Sequence, residues 1–330
     1  MKKIFKVIGI IILGVAALFL LLSIRPKVET ISYGVSFSKY HADELRLPWK
    51  EAFAAILDDL KVRKFRFSAH WPMVEPKKGE FSFDDLDYQM IEAQKRNATV
   101  IFAVGRRLPG WPECHEPDWV KNLSVEEKQA QILTLLETTV QHFKHYKNID
   151  YWQVENEPFL SVFAKEHCGD LDVDFLHKEI ALVKKLDPER KVLVTDSGNL
   201  GLWAGAWRSG DAFGTSVYMY LWNPTLGQVR SVYLPSFYRV KTNLMSMFLG
   251  EKKSMLIELS LEPWLLEPIV DAPIERQIQR MDITKFNEVL EFAKGTGFSD
   301  QYLWGAEWWY WMKGQGHPEY WDAAKQVFNK

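Results

Sequence analysis

The amino-acid sequence predicts an α/β protein, a (β/α)8 TIM barrel preceded by an N-terminal transmembrane signal-anchor helix. From Ile31 onward, short β-branched or aromatic runs alternate with amphipathic stretches, and eight such units fit in the 330 residues. This alternation is typical of βα units around a parallel sheet. The first predicted strand leads into no glycine-rich phosphate loop, since Gly34-Val35-Ser36-Phe37 is not one. A closed barrel is therefore favoured over a doubly wound sheet.

The first 28 residues form a separate unit. Lys2, Lys3 and Lys6 precede an uncharged run from Val7 to Ile24, which is just long enough to span a bilayer and longer than the apolar core of most cleaved signal peptides. No small-residue cleavage site follows the run. An uncleaved signal anchor is the preferred interpretation, a cleaved signal peptide and secretion are the alternative, and a buried core helix is disfavoured. The lysines place the N-terminus in the cytoplasm and the barrel, residues 29–330, outside the cytoplasm.

The composition narrows the range of partners. The chain is 47% hydrophobic and 25% charged, with a formal net charge of -2, so no basic surface for nucleic acid is expected. It is rich in aromatic residues, with 14 Trp, 12 Tyr and 20 Phe. Flat apolar rings at a cleft suit the C–H faces of sugars. A carbohydrate substrate and a membrane contact through the anchor are thus expected; a monomer is the simplest oligomeric state, and this point stays open.

The element boundaries follow from periodicity and from local start signals. Ser124 and Glu127, for example, have the spacing of a capping box at the start of a helix. The predicted strands are Tyr33 to Phe37, Lys64 to Ser68, Thr99 to Val104, Ile149 to Val154, Val192 to Thr195, Phe213 to Met219, Ser254 to Ile257 and Gln301 to Leu303. The predicted helices are Pro48 to Leu60, Leu86 to Arg96, Val125 to Tyr146, Val173 to Leu186, Leu234 to Phe248 and Pro273 to Lys294.

The two cysteines, Cys114 and Cys168, fall in the loops after the third and fourth predicted strands. In a barrel these loops are neighbours on one rim. Export would place the thiols in an oxidising compartment, so a disulfide is the preferred interpretation and two unrelated thiols are the alternative.

Two carboxylates follow strands that lie nearly opposite each other in a barrel. Asn156 and Glu157 come after the fourth strand, and Glu258 comes directly after the apolar run of the seventh. Barrel enzymes carry their chemistry at the carboxyl ends of the strands. Cleavage of a glycosidic bond needs two carboxyl groups, one to protonate the leaving oxygen and one to attack the sugar or to activate water. The sequence therefore favours glycoside hydrolysis.

The order of strand, Asn156-Glu157-Pro158, strand and Glu258 resembles the retaining barrel glycosidases of clan A, which include cellulases, xylanases, mannanases and β-galactosidases. The resemblance covers the chain from about Ile31 onward. It implies that Glu157 is the general acid/base, that Glu258 is the nucleophile, and that β-glycosides are cleaved with retention of configuration. No metal or organic cofactor is implied.

The resemblance also assigns residues that bind substrate or support the carboxylates. Arg66, at the end of the second strand, would favour the charged form of Glu258. Tyr218 would contact the nucleophile, Asn156 would bind the sugar 2-hydroxyl, and Trp304 would form the floor of the sugar subsite. The alternatives are a salt bridge toward the helices for Arg66 and barrel packing for Tyr218 and Trp304. His70, which follows the second strand, is a further candidate for substrate binding.

The chain departs from the family pattern on both sides of the site. Glu155 replaces the Trp or His that commonly precedes Asn-Glu-Pro, and it is expected to be a structural partner or a sugar ligand. Glu262, four residues beyond Glu258, is a second candidate nucleophile. The loop Arg106 to His115 is expected either to line the cleft or to be a surface loop. Trp308, Trp309 and Trp311 form either a sugar platform or a packed lid, and the scattered histidines show no metal-binding spacing.

Two rival functions share these residues. One is a carbohydrate-binding barrel without turnover, which would not need both carboxylates. The other is a transglycosylase, which differs from a hydrolase only in the acceptor. The sugar, the linkage, and terminal or internal attack are not specified by the sequence.

Overall fold

A computed structural model describes residues 14, 23, 28, 30–160, 162, 165–223, 225–265 and 267–329. Eight parallel strands close into a barrel in the order β1, β8, β7, β6, β5, β4, β3, β2, so that strands consecutive in the chain lie side by side. The predicted barrel is confirmed. The strands are β1 Ser32–Ser36, β2 Lys64–Ser68, β3 Thr99–Val104, β4 Ile149–Val154, β5 Lys191–Asp196, β6 Ala212–Val217, β7 Ser254–Ser260 and β8 Asp300–Trp304.

Helices follow the strands around the outside of the barrel. Ser124 and Glu127 make both hydrogen bonds of the predicted capping box. The described α-helices of four or more residues are Lys39–Glu44, Trp49–Asp58, Trp71–Val74, Asp84–Lys95, Val125–Phe143, Lys165–Cys168, Val173–Leu186, Ala204–Ser209, Pro235–Leu249, Ile274–Arg280, Ile283–Lys294, Ala306–Gly314 and Glu319–Phe328. A two-stranded hairpin, Tyr220–Asn223 with Gly227–Arg230, follows β6.

The prediction of one helix from Pro273 to Lys294 is wrong. The chain forms two helices there, Ile274–Arg280 and Ile283–Lys294. The break lies at Asp282, whose side chain accepts a hydrogen bond from the backbone N–H of Lys285 and so caps the second helix. The hydrophobic periodicity continues across the break and hides it from sequence inspection.

The predicted anchor lies outside the described residues except for Gly14, Ser23 and Val28. Over the part of the chain that the structure describes, no helix is both long enough and apolar enough to cross a bilayer. The anchor therefore stays a prediction.

Side chains alternate between the barrel interior and the layer against the helices. Met255 and Ile257 of β7 point inward and pack with Tyr302, whereas Leu256 and Leu259 join the outer core. Strict alternation would also turn Glu258 outward. The register prevents this, because Thr215 pairs with Leu256 while the next residue, Ser216, pairs with Glu258. The additional residue is a β-bulge, which re-aims the side chains beyond it.

The bulge changes one detail of the prediction. Glu258 lies inside β7, which runs on to Ser260, instead of directly after the strand. The carboxylate still faces the mouth of the barrel, because the bulge reverses the side to which it points.

Candidate active site

Arg66 lies at the centre of the barrel mouth and is 1% exposed. Its Nη1 donates to Glu258 Oε2 at 2.6 Å, and its Nη2 donates to Asn156 Oδ1 at 2.6 Å. Its Nε donates to Gln153 Oε1 at 2.8 Å. The planar fork of a guanidinium suits this task, since it fixes several acceptors at once. The alternative of a salt bridge toward the helices does not hold for Arg66.

The carboxylate of Glu258 is held from two sides. Arg66 binds Oε2, and the Tyr218 hydroxyl donates a short hydrogen bond to Oε1. Burial, and then the charge of Glu258, raise the pKa of Tyr218 well above its usual value, so the phenol remains a hydrogen-bond donor. Tyr218 follows the last residue of β6. The two donors fix the orientation of a carboxylate that faces the cleft.

Glu157, which follows β4, lies on the same rim of the barrel as Glu258. Its backbone is in the left-handed region, with φ 45°, and its N–H donates to Thr195 Oγ1 at 2.8 Å. Ser216 Oγ donates to Glu157 Oε1 at 2.6 Å. Because Ser216 pairs in register with Glu258, the two carboxyl groups are held over adjacent strands.

The environment of Glu157 favours its protonated form. Burial, followed by the negative charge of Glu258 and that of Glu113, raises the pKa of Glu157 to about 8. Burial is the largest of these causes, and the charge of Glu258 comes second. At neutral pH, Glu157 is thus suited to donate a proton.

Glu155 turns away from the cleft and supports the β3 loop. Its carboxylate accepts hydrogen bonds from the backbone N–H groups of Arg106 and Arg107, both at 2.7 Å. The buried Glu179 lies beside the Glu155 carboxylate. The pKa of Glu179 is raised well above its usual value by burial and by Glu155. Gly105, with φ 127°, makes room for this carboxylate, since a Cβ there would lie 2.2 Å from Glu155 Oε1. Of the two roles predicted for Glu155, the structure corresponds to that of a structural partner.

The loop after β3 brings a third carboxylate, Glu113, to the site. Its Oε2 accepts a hydrogen bond from Asn156 Nδ2 at 3.1 Å. The next residue, Cys114, forms a disulfide with Cys168, whose Cα lies 5.4 Å away. Burial is the main cause that raises the pKa of Glu113 to about 7. The predicted loop Arg106 to His115 therefore lines the cleft at Glu113.

Trp304, the last residue of β8, is fixed by Glu262. Its indole N–H donates to Glu262 Oε1 at 2.6 Å, and the other oxygen of Glu262 lies 3.0 Å from His41 Nε2. The rings of His41 and Trp304 stack with their centroids 5.8 Å apart. Burial alone would lower the pKa of His41, but the charge of Glu262 and the hydrogen bond to it raise that pKa well above its usual value. Glu262 is thus paired with an imidazolium and an indole.

His70 packs behind the β3 loop. It is 1% exposed, its Nε2 lies 3.1 Å from the Pro109 carbonyl oxygen, and its ring contacts those of Tyr40 and His115. Burial lowers the pKa of His70 well below its usual value, so the ring is neutral. Its predicted contact with substrate stays a prediction.

Trp308 and Trp309 are fully buried. The indole N–H of Trp308 donates to Gln277, and that of Trp309 donates to the Leu261 carbonyl. Of the two interpretations left open for these rings, packing corresponds to the structure.

In the described ranges, no group of three or more His, Cys, Asp or Glu side chains is arranged to hold a metal ion.

Sequence inspection missed four residues that shape the site: Gln153, Thr195, Ser216 and Glu113. The first three had a signal, because each is an uncharged polar residue at the penultimate position of a barrel strand, next to the rim. Ser216, for instance, is the fifth residue of β6. Glu113 had none, because its position depends on the path of a loop.

The comparisons with known proteins identify the fold. No protein-family model matches the chain. Similar solved structures include a glycoside hydrolase, GH5_18, from Bifidobacterium longum subsp. longum, at 11% identity and a TM-score of 0.57, covering 84% of this chain and 70% of that one. An endo-β-1,4-xylanase of glycoside hydrolase family 10 from Gloeophyllum trabeum matches at 15% identity and a TM-score of 0.53, covering 84% of each chain.

A β-galactosidase from Marinomonas ef1 matches at 11% identity and a TM-score of 0.53, covering 83% of this chain and 54% of that one. The chain thus spans about half the length of the β-galactosidase structures that it matches. These neighbours are barrel glycoside hydrolases, so the resemblance seen in the sequence is confirmed at the level of the fold.

Proposed function

We propose that this chain is a retaining glycoside hydrolase that cleaves the β-glycosidic bonds of an oligo- or polysaccharide. The observation that carries the proposal is the pairing of two differently held carboxyl groups at the barrel mouth. Arg66 and Tyr218 both donate to Glu258, while Glu157 has a raised pKa and, among the described residues, one side-chain donor to its carboxyl group, Ser216. Two carboxyl groups with separated protonation states are what glycoside cleavage requires.

In the first step, Glu157 gives its proton to the glycosidic oxygen while Glu258 attacks the anomeric carbon. The bond from the anomeric carbon to the leaving oxygen breaks, and a covalent bond from Glu258 to the sugar forms. Glu157 is then ionised, and it takes a proton from the water that attacks the same carbon. The bond between Glu258 and the anomeric carbon breaks in this second step, which frees the Glu258 carboxylate, releases the sugar with its original anomeric configuration and restores the proton on Glu157.

The contacts of Glu262 favour Glu258 as the nucleophile. Glu262 accepts from the Trp304 indole and faces the cationic His41, so both of its oxygens are engaged away from Arg66. Glu258, in contrast, is oriented by Arg66, which also binds Asn156, and by the hydroxyl of Tyr218. In this proposal Trp304 forms the floor of the sugar subsite, and Glu262 keeps its ring in place.

The neighbours favour hydrolysis of simple β-glycosides as the first assay. They include a β-galactosidase, an endo-β-1,4-xylanase, an exo-β-1,4-mannosidase and a β-glucosidase. The corresponding aryl β-glycosides should be tested with the purified full chain, and the anomer first released should be identified by NMR. We expect the β-anomer. First release of the α-anomer would contradict retention.

Substitution of each carboxyl group separates the roles. Glu258→Gln should abolish turnover, and hydrolysis at the wild-type rate would overturn its assignment. Glu157→Ala should impair substrates with poor leaving groups most, because a good leaving group needs little protonation. Added azide should restore activity to Glu157→Ala and give a β-glycosyl azide, whereas azide should have no such effect on Glu258→Gln.

The proposal also places the barrel outside the cytoplasm, anchored by residues 1–28, with secretion as the alternative. The Cys114–Cys168 disulfide supports this location, because disulfides persist mainly in oxidising compartments. A C-terminal alkaline phosphatase fusion, which is active only after export, tests it. An active fusion found in the membrane fraction is expected, an active soluble fusion would indicate secretion, and an inactive fusion would contradict export.

A further inference from the structure

The amide of Asn156 has a fixed direction. Its Oδ1 accepts from Arg66 at 2.6 Å, and Gln153 Nε2 and Thr195 Oγ1 lie 3.3 and 3.4 Å from the same oxygen. Donors on the inner side therefore hold the carbonyl end inward. The Nδ2 end turns toward Glu113, whose Oε2 lies 3.1 Å away. A sugar hydroxyl that binds Asn156 must meet Glu113 as well.

Arg107 stands on the far side of Glu113. It is 6% exposed, and its Nε lies 3.6 Å from Glu113 Oε2, beyond hydrogen-bond distance. Within the described residues, neither Nε nor Nη2 of Arg107 has an acceptor, while Nη1 donates to the Leu160 carbonyl at 2.9 Å. Buried N–H groups are rarely left without a partner. The site thus holds two unused donors next to a carboxylate that binds Asn156.

The backbone on either side of Glu113 is pinned. Its N–H donates to the Gly110 carbonyl at 2.7 Å, and its carbonyl accepts from the N–H of Leu108 at 2.8 Å. The disulfide at Cys114 ties the loop to the helix Lys165–Cys168. Only the side chain of Glu113 is therefore free to change partners when a ligand enters.

We propose that Glu113 is a specificity-determining residue that accepts a hydrogen bond from the sugar hydroxyl bound by Asn156. The proposal rests on the proposed function. It restricts the substrate to β-glycosides that carry a free hydroxyl on carbon 2 of the sugar whose bond is cleaved.

The chemistry of a hydroxyl matches both side chains, which contact each other directly in the absence of a sugar. A hydroxyl accepts through its lone pairs and donates one hydrogen, so it takes the N–H of Asn156 and gives its own hydrogen to Glu113. Glu113 then needs to move only about 0.7 Å to come within hydrogen-bond distance of Arg107. The unused donors of Arg107 stabilise the displaced carboxylate. A 2-deoxy sugar, which has a hydrogen atom in place of this hydroxyl, cannot bind either Asn156 or Glu113 in this way.

The test compares two substrates in the wild type and in Glu113→Ala. The first is the 4-nitrophenyl β-glycoside that the wild type hydrolyses fastest, and the second is its 2-deoxy counterpart. At pH 7, Glu113→Ala should lower kcat/KM for the 2-hydroxy substrate by about fivefold to fiftyfold. This is about half the range for a hydrogen bond to a charged group, because a pKa of about 7 leaves roughly half of Glu113 ionised. It should change kcat/KM for the 2-deoxy substrate by less than about threefold, since the lost contact is absent there.

Two further variants secure the result. Glu113→Gln retains an acceptor oxygen and should show the same selectivity with a smaller loss, even if the alanine variant folds poorly. Glu116→Ala is the matched control, because Glu116 lies on the same loop but binds Arg106 and Lys128. It should affect both substrates equally.

The outcomes distinguish this inference from the function on which it rests. Equal losses on both substrates in Glu113→Ala and Glu113→Gln, with an active wild type, would overturn the role of Glu113 alone. Failure of the wild type to hydrolyse any aryl β-glycoside would overturn the proposed function and, with it, the specificity derived from it.

Discussion

Arg66 joins the two halves of the site, because its guanidinium donates to Glu258 on β7 and also to Asn156 beyond β4, each at 2.6 Å. A single side chain thus sets the position of the proposed nucleophile relative to Asn156, the residue proposed to bind the sugar. The guanidinium is buried among acceptors, so loss of either partner would leave an unpaired group. Through this link, two motifs that are about a hundred residues apart in the chain are held in one hydrogen-bonded group.

Arg66→Lys keeps the charge but removes the fork. An ammonium cannot hold Gln153, Asn156 and Glu258 in one plane, so kcat/KM for an aryl β-glycoside should fall by about a hundredfold or more. Steady-state kinetics measure the loss, and circular dichroism at rising temperature shows whether the barrel remains folded. A folded variant with wild-type kcat/KM would show that the bridge has no role in turnover.

Tyr218→Phe removes one of the two donors to Glu258 and leaves the ring in place. We expect kcat to fall by about tenfold to a hundredfold with a smaller change in KM, because the hydroxyl orients the attacking oxygen more than it binds the sugar. Tyr220→Phe is a suitable control, since the hydroxyl of Tyr220 binds Glu288 on the outside of the barrel. Equal effects of the two substitutions would argue against a specific role for Tyr218.

The pH dependence of kcat/KM should report Glu157. As its pKa is raised to about 8 and the protonated form is the active acid, kcat/KM should be high at neutral pH and fall as the pH rises through about 8. The charge of Glu113 is one cause of the raised pKa. Glu113→Gln removes that charge, so the alkaline limb should move to lower pH. A shift in the opposite direction would contradict the placement of Glu113 beside Glu157.

Gly105→Ala should be much more harmful than Gly79→Ala. Both glycines have positive φ, but the new Cβ meets Glu155 Oε1 at 2.2 Å at position 105 and nothing within 4 Å at position 79. We expect the free energy of unfolding to fall by about 1 kcal/mol for Gly79→Ala, from backbone strain alone, and by about 3 kcal/mol or more for Gly105→Ala. Chemical denaturation gives both values, and equal losses would exclude the contact with Glu155 as the cause.

The disulfide should matter for both stability and the β3 loop. Cys114 and Cys168 are 54 residues apart, and the chain-entropy relation gives about 4 kcal/mol for a loop of this length. The Cys114→Ser/Cys168→Ser variant should therefore unfold at a lower denaturant concentration and show a higher KM, because Glu113 is adjacent to the bond. If stability falls but KM does not change, the loop is held without the disulfide.

Much of the fold could be predicted because it depends on local patterns. All eight predicted strands begin within one residue of their position in the structure, since strands in a barrel are short apolar runs between helices. The placement of Asn156 and Glu157 at the rim follows from that period and from the rule that barrel strands end there. Arg66, expected at the end of its strand, is the middle residue of β2 and contacts Glu258 and Asn156 through its long side chain. The prediction failed in two places, the helix break at Asp282 and the end of β7. The hydrophobic pattern continues across the helix break, and β7 runs on to Ser260, beyond its predicted end at Ile257.

The sequence by itself determined the barrel and the presence of two carboxylates at its mouth. Only the tertiary structure decided which way those groups face. Glu258 points into the site because a bulge at Ile257 shifts β7 against both of its neighbours, and this register depends on contacts between strands that are distant in the chain. Glu113 reaches Asn156 because the β3 loop folds back over the rim. Periodicity is a local property, whereas register and loop path are set by packing against residues far away in the sequence.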